Sequence, residues 1–104
     1  MDIFAIKALF EANLTALGFE KAVVDDRSIS LEVWLYERHD GTQTRVDVAG
    51  VAGSDREFFN VWLGVVNNED ALNLNAMGNG FIHESVFGTE EATFLIAVLS
   101  KAAF

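Results

Sequence analysis

Two runs of alternating apolar and polar residues flank an Asp-Gly dipeptide, and this feature constrains the fold more than any other. The runs cover residues 28–37 and 44–48, with Asp40 and Gly41 between them. Asp-Gly between such runs is a strong hairpin signal, because a type I′ turn needs a positive φ at both central residues. The sequence therefore predicts an antiparallel hairpin with a two-residue loop at Asp40-Gly41.

A two-residue loop also predicts the register of this hairpin. On one face it pairs apolar residues with each other: Leu35 with Val46, and Val33 with Val48. On the other face it pairs aromatic with charged residues: Trp34 with Asp47, and Tyr36 with Arg45. A slip of one residue would move every side chain of a strand to the opposite face. The register therefore decides which of these residues are expected in the core.

Helical and strand patterns continue on both sides of the hairpin. Apolar residues at 3.6-residue spacing predict helices over 2–17 and 89–103. Asp2 is the expected N-cap of the first helix, and Gly18 its left-handed C′ residue. Alternation predicts three main strands and two shorter ones: 28–37, 43–51 and 57–66, with 19–24 and 81–87. Residues 67–80 contain five asparagines and two glycines, which favours a loop.

These elements together predict a single α+β domain over residues 1–104. An antiparallel meander of three to five strands would carry the N-terminal and C-terminal helices on one face, since each amphipathic helix needs an apolar surface to cover. The residues expected to be almost fully buried are Phe10, Leu31, Val33, Val48, Val61 and Val98. The buried stripe of the second helix is expected to comprise Phe94, Leu95, Val98, Leu99 and Ala102.

The charge balance restricts the classes of partner. Sixteen acidic residues against seven basic ones give a formal net charge of −9. Nucleic acid and anionic lipid both require a basic surface, so neither is expected as a direct partner. No apolar run approaches the roughly 18 residues of a membrane span. With no secretion signal at the N-terminus, we expect a cytoplasmic protein.

No catalytic or ligand-binding motif occurs at the spacing that its chemistry requires. The chain has no cysteine, which excludes thiol nucleophiles and thiolate metal sites. His39 and His83 each lack a second histidine at helical ligand spacing. Residues 73–84 resemble a calcium loop only in part, because Met77 stands where an oxygen ligand belongs. We therefore expect neither an enzyme, nor a cofactor, nor a metal site.

The sheet face opposite the expected core carries the candidate site. It combines aromatic with acidic side chains: Trp34, Tyr36, Phe58 and Trp62 with Glu32 and Asp47, continued towards the hairpin tip by Glu37 and Asp40. Aromatic anchors contribute much of the energy of protein interfaces, and charge contributes to specificity and encounter rate. We therefore predict that these residues bind a protein partner.

Several functions are compatible with such a face. The favoured hypothesis is an acidic interaction module that binds and blocks a basic, nucleic-acid-binding partner, as a nucleic-acid-mimicking inhibitor from a phage or mobile element would. In a second hypothesis the aromatic face forms a homodimer or a chaperone-like subunit contact, and the acidity only confers solubility. A further alternative is that the 67–80 loop covers the aromatic rings, so that the face binds no partner. The face could also hold a small ligand or an enzymatic site.

Overall fold

A computed structural model describes residues 2–22, 31–50, 57–73 and 81–102 of the chain. Within these ranges the elements are α1 (Ile3–Ala16), β1 (Glu20–Ala22), β2 (Leu31–Glu37), β3 (Gln43–Ala49), β4 (Phe59–Val66), a short 3-10 helix (Asn68–Asp70), β5 (Ile82–Val86) and α2 (Thr89–Ala102). The strands form one antiparallel sheet in the order β1-β2-β3-β4-β5. Both helices pack against this sheet, so the predicted α+β class is confirmed. Residues 28–30 and 51, at the ends of predicted strands, lie outside the described residues, as does most of the calcium-loop candidate.

The end of α1 determines where β1 begins. The carboxylate of Asp2 accepts a hydrogen bond from the Ala5 N–H at 2.8 Å, so the predicted N-cap is confirmed. At the other end Gly18 has a φ of +98°, and the Phe19 N–H donates to the Leu14 carbonyl at 3.0 Å. This Schellman motif ends the helix and buries Phe19 against the core. Residue 20 can therefore enter the sheet at once.

The β2–β3 hairpin turns through three residues instead of the predicted two. The Arg38 N–H donates to the Thr42 carbonyl at 2.9 Å, and the Gly41 N–H to the Arg38 carbonyl at 3.3 Å. Gly41 has a φ of +85°, whereas no non-glycine residue in the described ranges, Asp40 included, has a positive φ. A type I turn followed by a left-handed glycine is the usual three-residue hairpin, so the type I′ prediction is wrong. Hydrogen bonds from the Thr42 hydroxyl and N–H to Asp40 stabilise this loop and lower the pKa of Asp40.

The additional loop residue shifts β2 by one position against β3 and exchanges its two faces. Leu35 lies opposite Arg45, and Trp34 lies opposite Val46. The predicted hairpin register is therefore wrong, and Leu35 and Val46 are on opposite faces of the sheet. The alternation does not show which face of β2 is covered by the helices. One face carries leucine and valine, and the other carries tryptophan and tyrosine, which can be buried equally well.

The helices cover the sheet face that carries Trp34. Side chains from both helices and four strands form its core: Ile6, Phe10, Leu14, Phe19, Trp34, Val46, Val48, Phe59, Val61, Leu63, Val86, Ala92, Leu95 and Leu99. Six residues predicted to be buried are buried: Phe10, Val33, Val48, Val61, Leu95 and Leu99. Val33, however, is buried on the other face because of the register shift. Leu31 and Val98 are half-buried, and Phe94 is exposed.

No helix in the described part of the chain is long and apolar enough to cross a membrane.

Candidate partner-binding surface

The structure divides the predicted site residues between the two faces of the sheet. On the helix-covered face lie Glu32, Trp34 and Tyr36, and on the opposite face lie Glu37, Asp47 and Trp62. Phe58 precedes β4 and contacts Phe87, with the ring centroids 5.1 Å apart, and Asp40 lies in the hairpin loop. Trp34 is only 6% exposed and belongs to the core. The common aromatic face predicted for these residues is therefore wrong, as a direct consequence of the shifted register.

Asp47 is one half of a fully buried ion pair with Arg45, and both residues are 0% exposed. The two residues are neighbours on one face because they are two positions apart in β3. Arg45 Nε donates to Asp47 Oδ1 at 2.7 Å, and Nη2 donates to Oδ2 at 2.9 Å. This bidentate geometry satisfies both carboxylate oxygens. Asp47 was expected in an acidic rim, but its charge is neutralised inside the protein.

The segment after β4 covers this ion pair. Arg45 Nη1 donates to the backbone carbonyls of Asp70 and Asn73, at 3.2 and 2.6 Å. Phe81 lies over Gly64, the β4 neighbour of Arg45, so closely that a Cβ at Gly64 would meet the ring at 2.5 Å. The described part of the 67–80 segment thus covers Arg45, and residues 74–80 lie outside the described ranges.

Trp62 belongs to a second polar group on the same helix-free face. Its ring stacks on the exposed His83 ring, with the centroids 4.7 Å apart. Asn60 Oδ1 accepts a hydrogen bond from Ser85 Oγ at 2.8 Å and lies 3.1 Å from His83 Nε2. The Ser85 hydroxyl is therefore bonded to an amide and not to an imidazole base. Across the described ranges no group of three His, Cys, Asp or Glu side chains could hold a metal ion.

Glu32 joins a cluster of charges between α1 and the sheet. Lys7 Nζ donates to both Glu32 oxygens at 3.1 Å and also contacts Glu11, while Lys21 Nζ lies 3.4 Å from Glu32. The pKa of Glu11 is raised, mainly by burial and secondly by the contact with Glu32. Burial also acts to raise the pKa of Glu32, but hydrogen bonds with Glu11 and Lys7 outweigh it and lower that pKa. Glu32 is thus an internal partner of two lysines.

Replacing Glu11 with glutamine should raise the thermal midpoint at pH 7. The pKa of Glu11 is raised in the folded state, so its contribution to stability is complete at acid pH and is lost as the pH rises through that pKa. Glutamine keeps the neutral form, and the advantage should disappear below the ordinary glutamate pKa of about 4.3. Circular dichroism melting at both pH values is the measurement. Glu69→Gln, at an exposed position, controls for net charge; a Glu11→Gln midpoint below wild type at pH 7 would contradict the expected sign.

Ion pairs within the molecule occupy most of the basic side chains. Four of the five that the structure describes contact carboxylates: Lys7, Lys21, Arg38 and Arg45. The fifth, Lys101, is in the last turn of α2. Several acidic residues are exposed: Asp2, Glu20, Glu37, Asp40, Glu57, Glu69 and Glu90. The surface charge of the described residues is therefore dominated by carboxylates.

Two of these carboxylates flank a groove along β1 and β2. Its lining comprises Gly18, Glu20, Lys21, Ala22, Leu35, Tyr36, Glu37 and Gln43. Glu20 lies opposite Leu35, and Glu37 lies opposite Gln43, so these four residues share the helix-free face. The two glutamates are exposed, whereas Leu35 and Gln43 are half-buried. Leu35 beside two exposed carboxylates suits a lysine or arginine side chain, whose aliphatic stem and charged head need both, and Lys21 of the lining is itself paired with Glu32.

Only part of this groove was visible in the sequence. Tyr36 and Glu37 were among the predicted site residues, but Glu20, Leu35 and Gln43 were not. The signals that could have identified them are the Gly18 helix end, which brings Glu20 into the sheet, and the three-residue loop, which places Glu37 opposite Gln43. A comparison with protein-family models, curated proteins and solved structures found no match to this chain.

Proposed function

We propose that this protein is a small acidic interaction module that binds and blocks a protein with a basic surface, and that it is not an enzyme. The observation that carries this proposal is the internal neutralisation of Lys7, Lys21, Arg38 and Arg45 by carboxylates. Because those cations are paired, the exposed glutamates on the described surface dominate its electrostatic field. A basic partner would be attracted to that field, and like-charged surfaces would be repelled.

The groove between Glu20 and Glu37 is the proposed point of contact. A lysine or arginine of the partner would place its charged head near these carboxylates and its stem on Leu35, which is half-buried between them. Charge then speeds the encounter, and the apolar contact slows dissociation. Protein surfaces that bind phosphate backbones are rich in lysine and arginine. Occupying such a surface would block nucleic-acid binding, as an inhibitor from a phage or mobile element would.

The first expected result is that Glu20→Lys with Glu37→Lys weakens binding to an arginine-rich peptide by about tenfold or more. Fluorescence anisotropy with the labelled peptide measures the affinity at low and at high salt. The matched control, Glu57→Lys with Glu69→Lys, makes the same change in net charge at two other exposed positions. Thermal midpoints should stay close to wild type in both pairs, because exposed substitutions change the free energy of unfolding by about 0.5 kcal/mol or less.

Two outcomes would contradict the proposal. Equal losses in the two pairs would mean that the peptide senses overall acidity and not the groove. Binding that is indifferent to ionic strength would mean that the acidity serves solubility alone. For the natural partner, crosslinking from Glu20 and Glu37 followed by mass spectrometry in the native host should recover a basic protein, and the charge-reversed pair should lose it.

The homodimer through an aromatic sheet face is not favoured by the observed register. Trp34 and Tyr36 face the helices, and of the predicted aromatic residues only Trp62 lies on the helix-free face within a described strand. A subunit contact built from Trp34 and Tyr36 would require the core to open.

A further inference from the structure

The outer surface of the helical layer is unusually apolar. Phe4 and Leu9 of α1 are 53% and 49% exposed, and Phe94 of α2 is 55% exposed. Small exposed residues surround them: Ala5, Ala8, Ala12 and Ala16 on α1, and Ala97 on α2. Leu9 and Thr93 line one groove between the two helices. We call this surface the helix-layer patch.

Charged side chains of the helical layer are confined to the helix ends and to the side of α1 that meets the sheet. The charged residues within α1, Lys7 and Glu11, are half-buried and interact with Glu32 at the sheet. In α2 the charged residues stand in the first and last turns: Glu90, Glu91 and Lys101. The middle of both helices therefore exposes only alanine, leucine, phenylalanine and small polar side chains. This is an exception on a chain with a net charge of −9.

We propose that the helix-layer patch joins two copies of this chain in a weak dimer. Two copies with a net charge of −9 repel each other, and they approach at the lowest electrostatic cost where neither carries charge. An uncharged apolar patch is complementary to itself, as a two-fold symmetric interface requires. A basic partner would gain little charge attraction at the middle of the helices, since the exposed carboxylates of this layer, Asp2 and Glu90, stand at the helix ends. The occupant that the charge distribution favours is therefore a second copy.

The size of the patch indicates that the dimer is weak. A half-exposed phenylalanine or leucine offers on the order of 100 Å² of surface, so the patch with its alanines amounts to roughly 400–500 Å². Stable specific interfaces bury about 800 Å² on each partner. A patch of about half that area belongs to the size class of weak and transient interfaces. The exposed alanines allow the α1 helices of the two copies to pack closely.

Sedimentation equilibrium from about 1 μM to 1 mM tests the proposal. Wild type should dimerise as the concentration rises, and more strongly at high salt, because salt screens the repulsion between acidic copies. Leu9→Lys with Phe94→Lys should weaken the dimer at least about tenfold. A matched control, Leu72→Lys with Ile82→Lys, alters two other side chains that are 51% and 50% exposed and should leave the dimer unchanged.

Ala8→Glu is a second patch variant that keeps a strong helix former at an exposed position, and it should also weaken the dimer. Circular dichroism melting of each variant confirms that it is folded. A wild-type protein that stays monomeric at about 1 mM in both salts would overturn the proposal and leave the patch to a different protein. Equal weakening by the control pair, or association that decreases at high salt, would also overturn it.

Discussion

Replacing Arg45 with methionine should destabilise the protein by about 3–5 kcal/mol, a large share of the roughly 5–15 kcal/mol that holds a domain folded. The variant leaves the Asp47 carboxylate fully buried without its bidentate partner. It also removes the donor to the carbonyls of Asp70 and Asn73, which ties the segment after β4 to the sheet. Urea denaturation followed by tryptophan fluorescence measures the change in the free energy of unfolding.

The double variant Arg45→Met with Asp47→Leu is the control for this prediction. Removing both charges leaves no uncompensated ion, so the loss should be much smaller than in Arg45→Met alone. The part that remains is the loss of the hydrogen bonds to Asp70 and Asn73. Together with the single variant Asp47→Leu, these two variants complete a double-mutant cycle that gives the coupling energy of the pair. A loss below about 1 kcal/mol in Arg45→Met would show that Asp47 reaches water and that the pair is not enclosed.

Phe10→Ala should cost about 3–5 kcal/mol of unfolding free energy, whereas Phe4→Ala should change it by about 0.5 kcal/mol or less. Phe10 is 1% exposed and its ring centroid lies 6.0 Å from that of Phe59, while Phe4 is 53% exposed. Both residues are in α1 and undergo the same substitution, so helix propensity cancels and burial remains as the difference.

The measurement for this pair is chemical denaturation at low micromolar concentration, where self-association through Phe4 does not contribute. The denaturation midpoint should fall in Phe10→Ala with little change in the slope. Similar losses in the two variants would contradict the arrangement of α1, in which Phe10 faces the sheet and Phe4 faces away from it.

Trp34 was predicted on the wrong face of the sheet because the hairpin loop has one residue more than expected. Its alternation with Glu32 and Tyr36 is consistent with either face of β2, because Leu31, Val33 and Leu35 on the other face are also apolar. The hairpin loop decides between the two, and Asp-Gly is compatible with both a two-residue and a three-residue turn. In the structure Asp40 has no positive φ and bonds to Thr42, so the longer loop forms and Trp34 enters the core.

The candidate site was less accessible to prediction than the fold. Glu37 and Asp40 were correctly expected near the hairpin tip, because their position follows from local turn chemistry. Asp47 was expected at the surface, and only the register and the 67–73 segment show that it is enclosed with Arg45. Glu20 lies in a predicted strand but was not among the predicted site residues, since its place opposite Leu35 depends on how β1 meets the sheet.

The sequence by itself determined the helices, the strands and their antiparallel order, because these depend on residues within a few positions of one another. Asp2 and Gly18 mark the ends of α1, and periodicity marks its buried side. Only the tertiary structure decided the register of β2, the enclosure of Arg45 with Asp47, and the formation of the acidic groove. The enclosure and the groove depend on residues distant in sequence, whereas the register depends on one additional loop residue, which changes which side chains meet.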